Sequence, residues 1–150
     1  MAKFITLIIF IVVVEGVGAL IGTSFAADAW YDALNKPFFN PAPQVFGIAW
    51  PILYLLIAIA GWRVFVSEGE TPGWGFWIAQ MLLNWAWSPV FFGAHQIFWA
   101  IWVLVGILAL SLAFISVTWE KDRLSALCFI PYVGWLSFAL VLNLSIWILN

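Results

Sequence analysis

Charge is what this chain has least of. Five Lys or Arg and seven Asp or Glu make up 8% of its 150 residues, against roughly 25% in soluble domains. The net charge of −2 is spread thinly, with no basic patch for nucleic acid. A single cysteine, Cys128, excludes a disulfide within the chain. With a single histidine, His95, it also excludes the usual His/Cys metal clusters. The apolar stretches hold no nucleophile–base pair, no phosphate-cradling glycine loop and no two carboxylates at helical spacing. Ordinary acid–base or nucleophilic catalysis therefore has little support.

What is abundant is apolar surface. Hydrophobic residues are 66% of the chain and aromatics 19%, with twelve tryptophans. A membrane-spanning helix needs ~20 mostly apolar residues, and five segments fit: Phe4–Phe25, Pro43–Val66, Gly73–Ala94, Ile97–Trp119 and Leu124–Ile148. The expected fold is an all-α membrane protein of one domain over residues 1–150, a five-helix transmembrane bundle. The first segment has the outline of a signal peptide, with Ser24-Phe25-Ala26 as a cleavage site. Its length, Glu15 and the Gly18, Gly22, Ala26 packing series favour a retained helix. Glu68 to Pro72 reads as a turn. His95-Gln96 is tight enough to make the third and fourth helices antiparallel neighbours, and Glu120 to Arg123 forms a charged cap.

The connection from Ala27 to Ala42 is longer than a turn. Pro37, Pro41 and Pro43 stiffen it, and Trp30, Tyr31, Phe38 and Phe39 make it too apolar to float in water. It is expected to fold onto the bundle as a structured lid, or to lie as an aromatic-anchored interfacial loop. Lys3, Arg63, Lys121 and Arg123 fall on one side of the membrane and Lys36 on the other. That asymmetry places the amino terminus in the cytoplasm, with an inner bacterial membrane as the default home.

Polar groups at membrane depth mark candidate sites. Gln80, Asn84 and Ser88 recur every four residues on one face of the third helix, and Pro89 should kink it. They line a pocket or hydrogen-bond between helices. Tyr132, Trp135, Ala139 and Asn143 share a face of the fifth helix, where small Ala139 beside Trp135 leaves room for something flat; Trp50 and Tyr54 lie one turn apart on the second. Trp30, Trp74, Trp77, Trp99, Trp119 and Trp147 sit near segment ends, as interfacial tryptophans do. Glu15 is expected to be protonated and hydrogen-bonded across a helix interface, with a proton relay as the alternative. His95 reads as a solvated turn residue, with axial haem ligation the alternative, and Cys128 as a small core residue. The stripe Gly106, Ala109, Ala113, Ser116 on the fourth helix invites a close helix partner, within the bundle or across a homodimer, the dimer being preferred.

These strings together resemble the tryptophan-rich sensory protein/translocator protein family, also called the peripheral-type benzodiazepine receptor family. The resemblance runs through Trp30-Tyr31, Leu34, Lys36-Pro37, Pro41 and Pro43, then Phe46, Trp50, Leu53-Tyr54 and Trp62-Arg63. It continues through Gln80, Leu83-Asn84, Trp87-Ser88-Pro89 and Phe91-Phe92. It ends in Pro131-Tyr132, Trp135, Phe138-Ala139 and Leu142-Asn143.

The resemblance implies a five-helix bundle, commonly a homodimer, that binds porphyrins such as protoporphyrin IX or other flat hydrophobic molecules beneath the first loop. Carried over by motif, the ligand-binding residues are Tyr31, Pro41, Trp50, Asn84, Trp87, Ser88, Trp135 and Ala139. No metal and no resident cofactor is implied; porphyrin enters as ligand. A sensor or carrier is the leading expectation. Light-dependent porphyrin degradation, with Trp50 and Trp135 as the reacting side chains, is the second, and a structural or lipid-handling protein the third. Residues 144–150 hold no tyrosine and no Lys or Arg, so the family's sterol pattern is missing there. Ala42 stands where many members carry a second adjacent proline.

Overall fold

The computed structural model describes residues 2–67, 69 and 71–150, so Glu68 and Glu70 of the expected turn lie outside the described residues. The described chain is all-helical: α1 Ala2–Ser24, α2 Ala29–Ala33, α3 Pro43–Val66, α4 Trp74–Ser88, α5 Ile97–Thr118 and α6 Arg123–Leu149. Local chemistry sets several boundaries. The Asp28 carboxylate accepts from the Tyr31 backbone N–H at 3.1 Å to cap α2, and Asp122 accepts from Ser125 N–H at 3.3 Å to cap α6. Pro43 opens α3, where a missing N–H costs no helical bond. Gly73 enters α4 at φ 118°, a backbone that side-chain-bearing residues rarely adopt.

Two expectations need correction. The connection between the first two long helices contains a helix of its own, the five-residue α2, so the described chain has six α-helices rather than five. The third apolar segment is not one α-helix. It is α over Trp74–Ser88 and then widens into a π-helical turn at Pro89–Gly93. Proline has no N–H to continue the ladder. The Ala94 N–H reaches back five residues to the Pro89 carbonyl at 2.8 Å. Among the described residues, the four helices long and apolar enough to cross a membrane are therefore α1, α3, α5 and α6.

The helices pack in the order α1, α3, α6, α5, α4, with α4 also touching α1. The core between them is carried by Ile57, Met81, Leu104, Phe129 and Leu136, and Cys128 belongs to it as expected. Trp77 does too, which corrects its expected interfacial place. Its indole lies against Gly61, where any Cβ would collide with the ring, and its Nε1 donates to the Ile57 carbonyl at 2.9 Å. Gly106 is likewise used within the chain, its face closed by Leu83 of α4, while Ala109 and Ser116 face outward.

Polar contacts clasp each end of the bundle. At one end the Trp62 indole donates to the Lys3 carbonyl at 3.0 Å, and Arg63 pairs with Asp122 at 2.8 Å. Burial by itself would raise the Asp122 carboxyl. The hydrogen bonds from Arg63 and Ser125 outweigh it and hold the group below the usual carboxylate range. At the other end Asn35 and Asn150 bond reciprocally: Asn35 N–H donates to the Asn150 side-chain oxygen, and Asn150 Nδ2 donates to the Asn35 carbonyl, both at 3.0 Å.

Candidate functional site

A cavity of about 710 Å³ opens between α1, α3, α4 and α6, with the 25–42 segment across its end. Small residues make the room on α1. Gly18 lets the Tyr54 ring sit against the backbone, and a Cβ at Gly22 would meet nothing within 4 Å. The opposite walls are aromatic. Trp50 stands edge-on to Trp135 at 6.4 Å and 5.2 Å from Tyr54, and Phe46 meets Trp135 edge-on at 5.7 Å. Edge-to-face packing of this kind fixes ring orientations and leaves flat faces free.

A chain of buried hydrogen bonds holds the wall in place. The Tyr54 hydroxyl donates to Asn84 Oδ1 at 2.8 Å, and Asn84 Nδ2 donates to the Tyr132 hydroxyl at 2.7 Å. Tyr132 donates in turn to Gln80 Oε1 at 3.1 Å. Lower on α6, Asn143 Oδ1 accepts from Trp87 Nε1 at 3.4 Å, and its amide donates to the Ile97 carbonyl at 3.1 Å. Each amide joins two helices, which is how a polar group is kept in an apolar bundle without an orphaned donor. Among the described residues Gln80 Nε2 departs from this, buried with no partner, as do Trp85 Nε1 and Ser111 Oγ elsewhere in the bundle.

The 25–42 segment is pinned over this space. The Tyr31 hydroxyl donates to Asn40 Oδ1 at 3.2 Å, and its ring meets Phe92 edge-on at 5.3 Å. Burial pushes the Tyr31 phenol up, so it stays a neutral donor. Lys36 Nζ lies 4.6 Å from the centre of that ring and donates to the Asp32 and Leu34 carbonyls.

All eight residues singled out in the sequence, Tyr31, Pro41, Trp50, Asn84, Trp87, Ser88, Trp135 and Ala139, line this one cavity. Tyr132, grouped with Trp135 by spacing, does not. It is wholly buried and acts behind the wall through Asn84. Glu15 differs from its expectation. It lies on the cavity wall, and among the described residues nothing hydrogen-bonds to it across a helix interface. His95 is not a merely solvated turn residue either: it stacks on Trp30 at 4.1 Å. The sequence reading missed Phe46, Asn40 and the open face of Gly22. Phe46 lies one turn before Trp50, and that spacing alone could have found it.

Four membrane-length apolar helices and a deep aromatic cavity between helices define an integral membrane protein with an internal pocket. Residues 7–148 match the TspO/MBR family, and the chain belongs to it. It is 40% identical over 133 residues to Protein CrtK of Rhodobacter capsulatus, covering 86% of this chain and 83% of that one. It is 36% identical over 135 residues to the tryptophan-rich sensory protein of Cereibacter sphaeroides, covering 90% and 85%. With the human translocator protein it shares 34% identity over 142 residues, covering 87% and 82%.

Proposed function

We propose that this protein is a membrane sensor or carrier that takes a porphyrin, or another flat hydrophobic tetrapyrrole, into the inter-helical cavity. The observation that carries the reading is the convergence of Trp50, Trp87, Trp135, Asn84 and Tyr31 on one space of about 710 Å³. That volume lies within the ~300–1,000 Å³ range of small-molecule pockets. Aromatic rings stack on a flat plate, amides and hydroxyls bond its edge, and the 25–42 segment acts as a lid. The ligand-binding roles of Pro41, Ser88 and Ala139 belong to the same reading.

The third apolar segment completes a fifth crossing in this account, α4 and its π-turn together spanning Trp74 to Gly93. Lys3, Arg63, Lys121 and Arg123, gathered toward one side against Lys36 alone, support a reading with the amino terminus in the cytoplasm, and a bacterial inner membrane is the home this reading takes. A homodimer would pack along the outward part of the α5 stripe, Ala109 and Ser116 with the half-buried Ala113 between them, or along α4.

A dark titration with protoporphyrin IX tests the reading, following tryptophan fluorescence beside a Trp50→Phe/Trp135→Phe double variant. Saturable quenching that weakens in the variant beyond the loss of two fluorophores is expected. Identical, unsaturable quenching in both would mean partition into detergent, and the site would be wrong. The Trp50–Trp135 contact favours a second reading, light-driven degradation of the bound ring. It requires loss of the porphyrin spectrum under illumination in wild type and retention in Trp135→Phe.

A further inference from the structure

The turn between the π-helical turn and α5 carries a polar, stacked contact that the binding reading does not use. His95 sits at φ 56°, the left-handed region, which is uncommon outside glycine. That conformation turns its ring under the covering segment. The Trp30 indole stacks on it at 4.1 Å with 15° between planes, and Asp28 Oδ2 lies 3.5 Å from His95 Nε2. Asp28 and Trp30 belong to the cap and first turn of α2, so both contacts fasten the start of the lid to the far end of α4's π-turn. Trp30 also meets Phe91 edge-on at 5.8 Å, and Phe91 lines the cavity. The fastening and the pocket thus share a wall.

We propose that Asp28, Trp30 and His95 form a pH-responsive latch that slows ligand exchange when His95 is protonated. This rests on the reading of the cavity as a ligand site covered by a lid. Histidine in its ordinary setting changes charge between about pH 5 and 8. The side chains of His95 and Asp28 are 41% and 49% exposed, so protons reach both. Asp28 stays ionised through that window. The Tyr31 backbone N–H holds its carboxyl below the usual range, and His95 adds to the effect.

The imidazolium gains an ion pair with Asp28 and a cation over the face of Trp30; the neutral ring keeps the stack and only an uncharged, weaker contact with Asp28. The sign follows: the latch is tighter at low pH and looser at high pH. The other titratable groups on the covering segment are Tyr31, Asp32 and Lys36. Lys36 is engaged by the Asp32 and Leu34 carbonyls and the Tyr31 ring. The last turn of α1, Ile21–Ser24, and the first turn of α5, Ile97–Ala100, bring no charge to the contact.

The test uses the full chain in lipid nanodiscs, labelled with 5-fluorotryptophan, with His95→Asn and Asp28→Asn beside wild type. Asparagine keeps a residue that tolerates the left-handed backbone. The Trp30 fluorine signal, assigned with Trp30→Phe, should titrate in the histidine range in wild type and stay flat in His95→Asn. Release of protoporphyrin IX into excess vesicles should slow about twofold to fivefold from pH 8 to pH 5.5 in wild type, the range set by an exposed ion pair. It should lose that dependence in both variants. Equal pH slopes in all three proteins, or a Trp30 signal that ignores pH, would overturn the latch. If protoporphyrin IX does not bind at any pH, the cavity reading fails and takes the gating role with it. The fluorine titration would still report whether the His95–Trp30 contact exists.

Discussion

Tyr54 and Asn84 meet at the cavity wall, the tyrosine hydroxyl donating to the amide oxygen at 2.8 Å while the same amide donates onward to Tyr132. One asparagine on α4 thereby ties α3 to α6. Asn84→Leu leaves the Tyr54 hydroxyl without its acceptor and removes one bond to Tyr132. A loss of about 1–3 kcal/mol is expected for an orphaned buried group. Tyr54→Phe leaves Asn84 Oδ1 without its donor but keeps the Asn84–Tyr132 bond, so it should cost less, toward the lower end of that range of about 1–3 kcal/mol. Unfolding in one detergent checks the ranking; equal stability of Asn84→Leu and wild type would show that the amide is not structural.

The two α1 glycines near the cavity should behave oppositely. A methyl group at Gly18 runs into the Tyr54 ring. Gly18→Ala should therefore destabilise by about 1–3 kcal/mol, the usual cost of overpacking. Gly22→Ala meets open space and should be neutral or gain about 0.5–1 kcal/mol from reduced chain freedom. Matched melting curves of the two variants decide it, and similar losses in both would contradict the packing described.

Much of this was legible in the sequence because membrane helices announce themselves by length and hydrophobicity. Gln80 and Asn84, spaced four apart, also pointed to one buried face, and Tyr54, Tyr132 and Asn84 meet there. The π-turn was not legible. A proline after an apolar helix predicts a kink, but whether the ladder breaks or widens depends on which carbonyl the following N–H can reach. Trp77 was misplaced for a related reason. Nearness to a segment end is a statement about depth, while its burial depends on Gly61 of another helix. Glu15 carried no signal of which wall it would face, since the spacing of apolar residues around it is nearly uniform.

Acid should loosen the end of the bundle where Arg63 meets Asp122. The Asp122 carboxyl lies below the usual range in the folded protein. Its contribution is therefore complete above the unfolded value, ~3.9, and fades as pH falls through the lower, folded one. Asp122→Asn should destabilise at neutral pH by about 1–3 kcal/mol, through the Arg63 contact and the α6 cap. It should also flatten the acid limb of a stability–pH profile. An unchanged acid limb would mean that other carboxylates control it.

The Asn35–Asn150 clasp predicts a local effect. Asn150→Ala removes the acceptor for the Asn35 N–H and the donor to its carbonyl. Amide exchange around Asn35 should accelerate several-fold while the core of α3 is unchanged. Uniform acceleration across the bundle would instead mean that the clasp supports the whole fold.

The most direct test of the central claim is occlusion from a position that touches nothing. Gly22 lines the cavity, and a side chain built there points into open space. Affinity for protoporphyrin IX should be measured in wild type and Gly22→Phe, with unfolding curves for both. The account predicts a folded variant of near-wild-type stability whose binding falls at least tenfold. Undiminished affinity in a stably folded Gly22→Phe protein would place the ligand elsewhere and contradict the account.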